Sequence, residues 1–438
     1  MKNKKLYIKT YGCQMNVYDS SRIKDLLTSL GCISTKIIEE ADIIILNTCN
    51  VREKATEKVY SDLGRINKMF KKRKKTATVI VSGCVAQTEG KKIFQRAPWV
   101  NIVVGPQAYH TLPKLIGQLS YAKRHLTNLD LNQNEKFEEL PKPSKPSTVS
   151  AFITIQEGCN KFCRYCTVPY TRGREFSRPL EEIYREAMHL VSKGAVEIFL
   201  LGQNVNAYRD LSSGNELVLV DLINKIATLD KVKRIRYMTS HPLDMSDALI
   251  DAHGSIDKLM PQLHLPVQSG SNKILKAMNR RHTSEHYLKI IDKLRQARTD
   301  ICFSSDIIVG YPGETEKDFQ DTLAILEEVR FAQVYSFKYS PRPNTPAAEL
   351  SQLPEEIKTE RLRQLQALTR KHQDEFNAMR LNKNLDVLIT NKGKRPGQAT
   401  GFSQYLQSVV IEDGAKHIGN IIQVKINKIL SNTLKGEI

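Results

Sequence analysis

Cys159, Cys163 and Cys166 lie in the run EGCNKFCRYCTVPYTRGREFSR at 157–178, spaced C-x3-C-x2-C, with Tyr165 just before the last thiol. Soft thiolates this close on one loop suit three corners of a cubane iron–sulfur cluster. A structural zinc site is normally closed by a fourth ligand. None is near: the next cysteine is Cys302, and the nearest downstream histidine, His189, sits on a predicted helix. Three ligands for four irons leave one iron open to bind and reduce a small molecule. The apolar run FITIQE precedes the loop and places it at the end of a strand.

A second pattern occupies the first 120 residues. The apolar runs KKLYIKTYGC, ADIIILNTC and ATVIVSGC end at Cys13, Cys49 and Cys84, 36 and 35 residues apart, about one β–α unit each. Helical patterns such as SRIKDLLTSL and REKATEKVYSDLGRINKMF lie between them. Equivalent strand ends of a parallel sheet share one edge, where open α/β folds bind ligands. The common phase of the three thiols predicts a second cluster with three ligands and one open iron. Cys32 and Cys302 read as small core residues.

The C-x3-C-x-aromatic-C spacing resembles the signature of the radical S-adenosylmethionine (SAM) superfamily. YGCQMN at 11–16, NTCNVREKATEKV at 47–59 and SGC at 82–84 resemble the amino-terminal domain of its methylthiotransferases. Within these, V-R-E-K-A after the second cysteine is similar to the tRNA-2-methylthio-N(6)-dimethylallyladenosine synthases, the MiaB group. The resemblance runs nearly end to end.

Length and charge agree with it. A chain of 438 residues is too long for one ordinary core. Sixty-six Lys and Arg against 47 Asp and Glu give a net charge of +19, which suits a polyanionic partner, RNA above all. No apolar stretch approaches a membrane span, and MKNKKLYIKT reads as a strand rather than a signal peptide. Eight cysteines, six with metal-ligand logic, point to a reducing interior and a cytoplasmic chain.

The expected fold is α/β and multidomain. An open parallel α/β domain would span 1–120, and a polar linker with PKPSKPS at 141–147 would fill 121–148. From 149 to 381, FITIQE, EIFLLGQ, RIRYMT, QLHLPV, CFSSDIIVG and QVYSFKYS alternate with helices. By the resemblance, they form a partial (β/α)6 radical SAM barrel with active-site residues at the strand C-termini. A charged helix then leads to LDVLITNK, SVVIED and NIIQVKINKI, a small β-barrel over 382–438 that looks like a TRAM domain.

Polar residues at the barrel's strand ends are candidates for holding SAM. Gln203 and Asn204 in GQNVN would accept the methionine amino group, and Ser240 lies in TSHP. Gln268 and Ser269 lie in LPVQSGS, Gly310 and Gly313 would admit adenine or ribose in DIIVGYPGE, and Tyr165 would pack beside adenine. The arginines Arg164, Arg172, Arg174 and Arg178 either hold SAM's carboxylate or an RNA phosphate, or form a solvated loop. Arg52, Lys54 and Lys58, on the helix after Cys49, and Lys392, Lys394, Arg395, Lys425 and Lys428, in the tail, are candidate phosphate contacts. Phe402 and Tyr405 either stack on bases or fill the small barrel's core. His282 stands where the resemblance leads one to expect an aromatic, and is assigned no role.

The resemblance implies two 4Fe–4S clusters and two uses of SAM. One SAM methylates sulfur held at the amino-terminal cluster. A second, cleaved at Cys159, Cys163 and Cys166, drives transfer of the methylthio group to carbon 2 of N(6)-dimethylallyladenosine at tRNA position 37. The carbon-bound hydrogen there gives acid–base chemistry little purchase. The partners implied are a tRNA anticodon stem-loop and a flavodoxin- or ferredoxin-type electron donor, and the chain would act as a monomer. Alternatives are the same chemistry on threonylcarbamoyl-adenosine or on a ribosomal-protein aspartate, and a non-catalytic iron–sulfur RNA-binding sensor.

Overall fold

The strands that lead to Cys13, Cys49 and Cys84 are neighbours in one sheet. In the computed structural model, Lys5–Thr10 pairs in parallel with Ile43–Thr48, which pairs in parallel with Thr78–Gly83. Ile33–Ser34 adds to one edge, and Ile102–Val104 and Leu126–Asn128 add to the other, giving six parallel strands. The structure describes the chain apart from residues 51–53, 74–75, 120–123, 133, 144–148 and 213 and the side chains of Lys54, Asn134 and Glu135.

Alternation along these strands builds two cores. Ile44, Leu46, Val79, Val81 and Val103 meet Val59, Leu63, Ile66 and Phe70 of the helix Lys54–Arg73 on one face. Leu6, Ile43, Ile45, Ile80 and Ile102 meet Ile23 and Leu27 of the helix Gln14–Ser29 on the other. Burial on both faces is why these runs are almost continuously apolar.

The segment expected as a linker differs. Its described part holds the sixth strand of the sheet, Leu126–Asn128, and the helix Asn134–Glu139, whose Lys136 is fully buried. Ion pairs rather than apolar periodicity hold that helix, so its polar sequence gave no sign of it.

The chain divides into two compact units: 1–144 with 157–160 and 167–176, and 145–156 with 161–166 and 177–438. The second contains the six alternating strands, in two parallel groups of three. Ser150–Thr154, Glu197–Leu201 and Arg234–Tyr237 form one; Gln262–His264, Cys302–Val309 and Gln333–Lys338 form the other. A bridge between Ile235 and Leu259 leads from the first group toward the second. Their inner residues and the surrounding helices share one large core.

After the helix Glu355–Ala378, the strands Asn384–Lys392, Ala399–Ser403, Ser408–Ile411, Leu434–Glu437 and Ile421–Ile429 close a five-stranded barrel. Two buried arginines dock it. Arg234 donates to the carbonyls of Phe402 and Asp386 at 2.8 and 2.7 Å, and Arg236 to those of Gln404 and Ser403 at 3.0 and 2.9 Å. Among the described residues no helix is long and apolar enough to cross a membrane.

Candidate cluster and cofactor sites

Cys13, Cys49 and Cys84 follow the ends of three adjacent parallel strands, at one edge of the sheet. The register pairs Thr10 with Asn47 and Thr48 with Gly83, so the three turns that follow start level. Cys13 caps the helix Gln14–Ser29, and Cys84 opens the helix Cys84–Glu89. Gly83 has φ +88° and lies against Thr48; a Cβ there would stand 2.3 Å from the Thr48 carbonyl oxygen. A hydrogen bond from Cys49 outweighs burial and holds the Cys13 thiol down to about 6. Burial raises Cys84, and Arg172 pulls against it with a hydrogen bond and its charge.

Arg172 is not part of a solvated positive edge. It is buried, and its guanidinium meets Asp19 at 2.7 Å and Glu157 at 3.2 Å. Lys136 reaches Glu157 at 2.6 Å and Asp19 at 3.6 Å. No short-range pattern signals this network, because Asp19 and Arg172 are 153 residues apart.

On the second thiol loop, Gly158 has φ +74° and touches the Arg174 carbonyl, where a Cβ would stand 1.9 Å away. Cys159 belongs with the first compact unit, and Cys163 and Cys166 with the second. The Cys166 N–H donates to the Cys163 carbonyl at 2.9 Å. Arg280, buried, points Nη1 at the Cys163 sulfur at 3.9 Å, and Asn279 holds the carbonyls of Lys161 and Phe162. Sequence reasoning missed both residues. Tyr165 packs with Ile274, Met278, Tyr311 and Tyr339, and burial raises its phenol well above the ordinary value.

The strand ends of the second unit carry buried polar atoms without protein partners. Asn204 donates through Nδ2 to Asp244 at 2.8 Å, leaving Oδ1 unpaired; Asp244 also binds Lys161 at 2.7 Å. Gln156 clamps the same turn by accepting the N–H groups of Gln203 and Asn204 at 2.9 and 3.1 Å. Ser240 Oγ and Gln268 Oε1 are also buried and unpaired. Thr239 and Gln268 adopt φ of +66° and +75°, strain that collects at functional rims. Ser269 is satisfied by Thr322 at 3.2 Å. At Gly310 the φ of +71° and missing Cβ make room for the Lys358 side chain, 2.2 Å from an ideal Cβ. His282 is buried edge-on to His241, and burial pushes it down to about 3.

Residues 153–326 match the radical SAM superfamily, 5–105 an uncharacterized family designated UPF0004, and 380–438 the TRAM domain. A tRNA-2-methylthio-N(6)-dimethylallyladenosine synthase of Rickettsia bellii is 54% identical over all of this chain and 99% of its own. The synthase of Rickettsia akari is 54% identical over the full length of both. The chain belongs to the tRNA-2-methylthio-N(6)-dimethylallyladenosine synthase family. Its fold is similar to that of the radical SAM methyltransferase TsrM from Kitasatospora setae, with a TM-score of 0.58 at 12% identity over 80% of this chain and 74% of that one. The cobalamin-dependent SAM radical enzyme OxsB gives 0.55 at 13% identity over 84% and 56%.

The donor sets of this synthase-family chain suit iron–sulfur clusters. None of the six predicted thiols is tied up in a disulfide. Among the described residues no three Cys, His, Asp or Glu side chains converge as for a single metal ion. A cubane instead spreads its thiolates over separate irons.

The expected RNA contacts divide. Arg52 and the side chain of Lys54 lie outside the described residues; Lys58 and Arg174 are exposed. Arg178 is buried against Glu186 at 2.8 Å and donates to the Thr154 carbonyl at 2.7 Å, so it is structural. In the TRAM domain Lys392, Lys394, Arg395, Lys425 and Lys428 are exposed. Tyr405 packs on Phe376 and Arg380, and its hydroxyl donates to Asp300 at 3.2 Å, which takes it out of base stacking. Phe402 is half-buried.

Proposed function

We propose that this chain transfers a methylthio group to carbon 2 of N(6)-dimethylallyladenosine at tRNA position 37. The observation that carries the reading is two three-cysteine sites in one chain that is 54% identical, end to end, to named synthases. Cys13, Cys49 and Cys84 would hold one 4Fe–4S cluster, and Cys159, Cys163 and Cys166 the other. The clusters and SAM supply the electron and the sulfur and carbon groups.

The chain's own residues bind and orient. Asn204 Oδ1 and Ser240 Oγ are acceptors for an ammonium or hydroxyl group of SAM, and Gln268 Oε1 is a third. Leaving them empty in a folded chain costs desolvation that a ligand recovers. Arg280 places positive charge and a donor beside the Cys163 sulfur. Exposed cations of the TRAM domain, with Arg174 and Lys58, would meet the phosphates of an anticodon stem-loop. A cytoplasmic location, a monomeric state and a flavodoxin- or ferredoxin-type donor complete the proposal.

The test is anaerobic reconstitution with iron and sulfide, then reductant, SAM and tRNA bearing dimethylallyladenosine, read by nucleoside mass spectrometry. A methylthio increment, with S-adenosylhomocysteine and 5′-deoxyadenosine formed, is expected. If 5′-deoxyadenosine forms without tRNA modification, the substrate is wrong. If neither forms on a chain carrying both clusters, the enzyme reading fails.

A further inference from the structure

The turn at 278–281, which follows the helix Asn272–Ala277, clamps the second thiol loop. The Arg164 N–H donates to the Met278 carbonyl at 3.0 Å, and Asn279 Nδ2 donates to the carbonyls of Phe162 and Lys161 at 3.0 and 3.3 Å. Phe162 and Asn279 adopt φ of +49° and +60°, a backbone conformation that persists where surrounding contacts hold it. Arg280 is fixed within this turn. Its own N–H donates to the Leu275 carbonyl at 2.9 Å, and its carbonyl lies 3.3 Å from His282 Nδ1.

The Arg280 side chain is buried, with Nη1 3.9 Å from the Cys163 sulfur, Nη2 donating to the Pro266 carbonyl, and Nε without a protein partner. Among the described residues no carboxylate pairs with it. Other buried arginines differ: Arg172, Arg178, Arg236 and Arg361 each meet an Asp or Glu. A buried cation is costly unless an anion accompanies it. The thiol that Nη1 faces supplies one when it becomes a thiolate. A cubane held by three thiolates carries net negative charge, and reduction adds to it.

We propose that Arg280 is the counter-cation of the cluster held by Cys159, Cys163 and Cys166, donating to the Cys163 sulfur and raising that cluster's reduction potential. The proposal rests on those three thiols being the cluster's ligands. A donor and a positive charge at a ligand sulfur favour the reduced form, the more negative of the two, and so raise the potential. One electron enters and no bond breaks; it comes from the same one-electron donor that SAM cleavage needs. Arg280 is thus a tuning residue, and Asn279 positions the loop it acts on.

The test uses the full-length chain with Cys13→Ala, Cys49→Ala and Cys84→Ala, which leaves one cluster site. After anaerobic reconstitution with iron and sulfide, iron is counted, the midpoint potential is titrated with dithionite in the absence of SAM, and the reduced cluster is examined by electron paramagnetic resonance. Arg280→Gln is expected to move the midpoint to more negative potential and alter the resonance. Arg280→Lys, which keeps a cation but loses the planar fork, should fall between. Asn279→Ala, which loosens the same loop and leaves the cation in place, should stay near the parental midpoint. A parental midpoint in Arg280→Gln overturns the proposal. So does a shift in Asn279→Ala as large as that in Arg280→Gln, because loop looseness then explains both. If only the lysine variant holds iron, a midpoint more negative than parental supports the proposal and a parental one overturns it. Loss of iron from both Arg280 variants marks a residue that retains the cluster rather than tunes it, and also overturns it. A parent chain that binds no iron overturns the ligand assignment itself, and is distinguishable because it precedes any change at Arg280.

Discussion

Gly12 lies against Cys49 so closely that a Cβ at residue 12 would stand 2.1 Å from the Cys49 Cβ and 2.6 Å from its sulfur. Gly12 also has φ +98°, where an L side chain is strained. Gly12→Ala must therefore push Cys49 away from Cys13. Reconstituted iron per chain should fall by about half, the share of one cluster in two. Gly64→Ala, on an exposed helical face with nothing within 4 Å, should leave iron content unchanged and add about 1 kcal/mol of helix stability. Iron and sulfide assays on both variants check this.

Asp318 governs an acid-sensitive part of the second unit. Burial opposes its charge, but Ser271 at 2.6 Å, Thr315 at 2.7 and 2.8 Å and Lys273 at 2.9 Å outweigh that and hold its carboxyl well below the usual range. A folded value below the unfolded one gives stability that is full above the unfolded value and lost as pH falls through the folded one. Asp318→Asn should cost about 1–3 kcal/mol at neutral pH, with the gap to wild type shrinking below about pH 4. Urea unfolding at pH 7 and pH 3.5 measures both.

The legible parts of the fold were those written in local periodicity. The runs ending at Cys13, Cys49 and Cys84 announced a parallel sheet and a shared edge because buried strands are continuously apolar. Hidden features were those made by pairs far apart in sequence. Lys136 sits in a polar stretch that reads as a linker, and only its partners Glu157 and Asp19 explain its burial. Arg172, Arg174 and Arg178 look alike in sequence. Burial separates them: two are spent on internal carboxylates, and Arg174 is exposed. At Gly310, Lys358 fills the space that the glycine opens, and Arg280 beside Cys163 had no motif to reveal it.

Arg236 links the barrel of the second unit to its TRAM domain. It pairs with Glu197 at 2.9 Å and donates to two TRAM carbonyls. Arg236→Ala takes the guanidinium from Glu197, which keeps the Ser150 hydroxyl at 2.6 Å, and removes a donor from both carbonyls. Breaking a buried pair from one side costs about 3–5 kcal/mol. Melting should drop, and limited proteolysis should release residues near 380–438 earlier than in wild type. Adding Glu197→Gln should recover part of the loss, which a double-mutant cycle measures.

Asn204 separates a ligand-facing polar atom from a structural one. Its Oδ1 is buried and unpaired, whereas Ser269 Oγ is already bonded to Thr322 and receives the Ser271 N–H. If Oδ1 accepts from the ammonium of SAM, Asn204→Ala removes a hydrogen bond to a charged group, worth about 1.5–3 kcal/mol. SAM affinity should then fall roughly ten- to a hundredfold, as read by anaerobic equilibrium dialysis. Ser269→Ala should reduce stability and leave SAM affinity unchanged, because its hydroxyl serves the fold. Equal affinity in Asn204→Ala and wild type would place the ammonium at another strand end, with Gln268 Oε1 the next acceptor to remove.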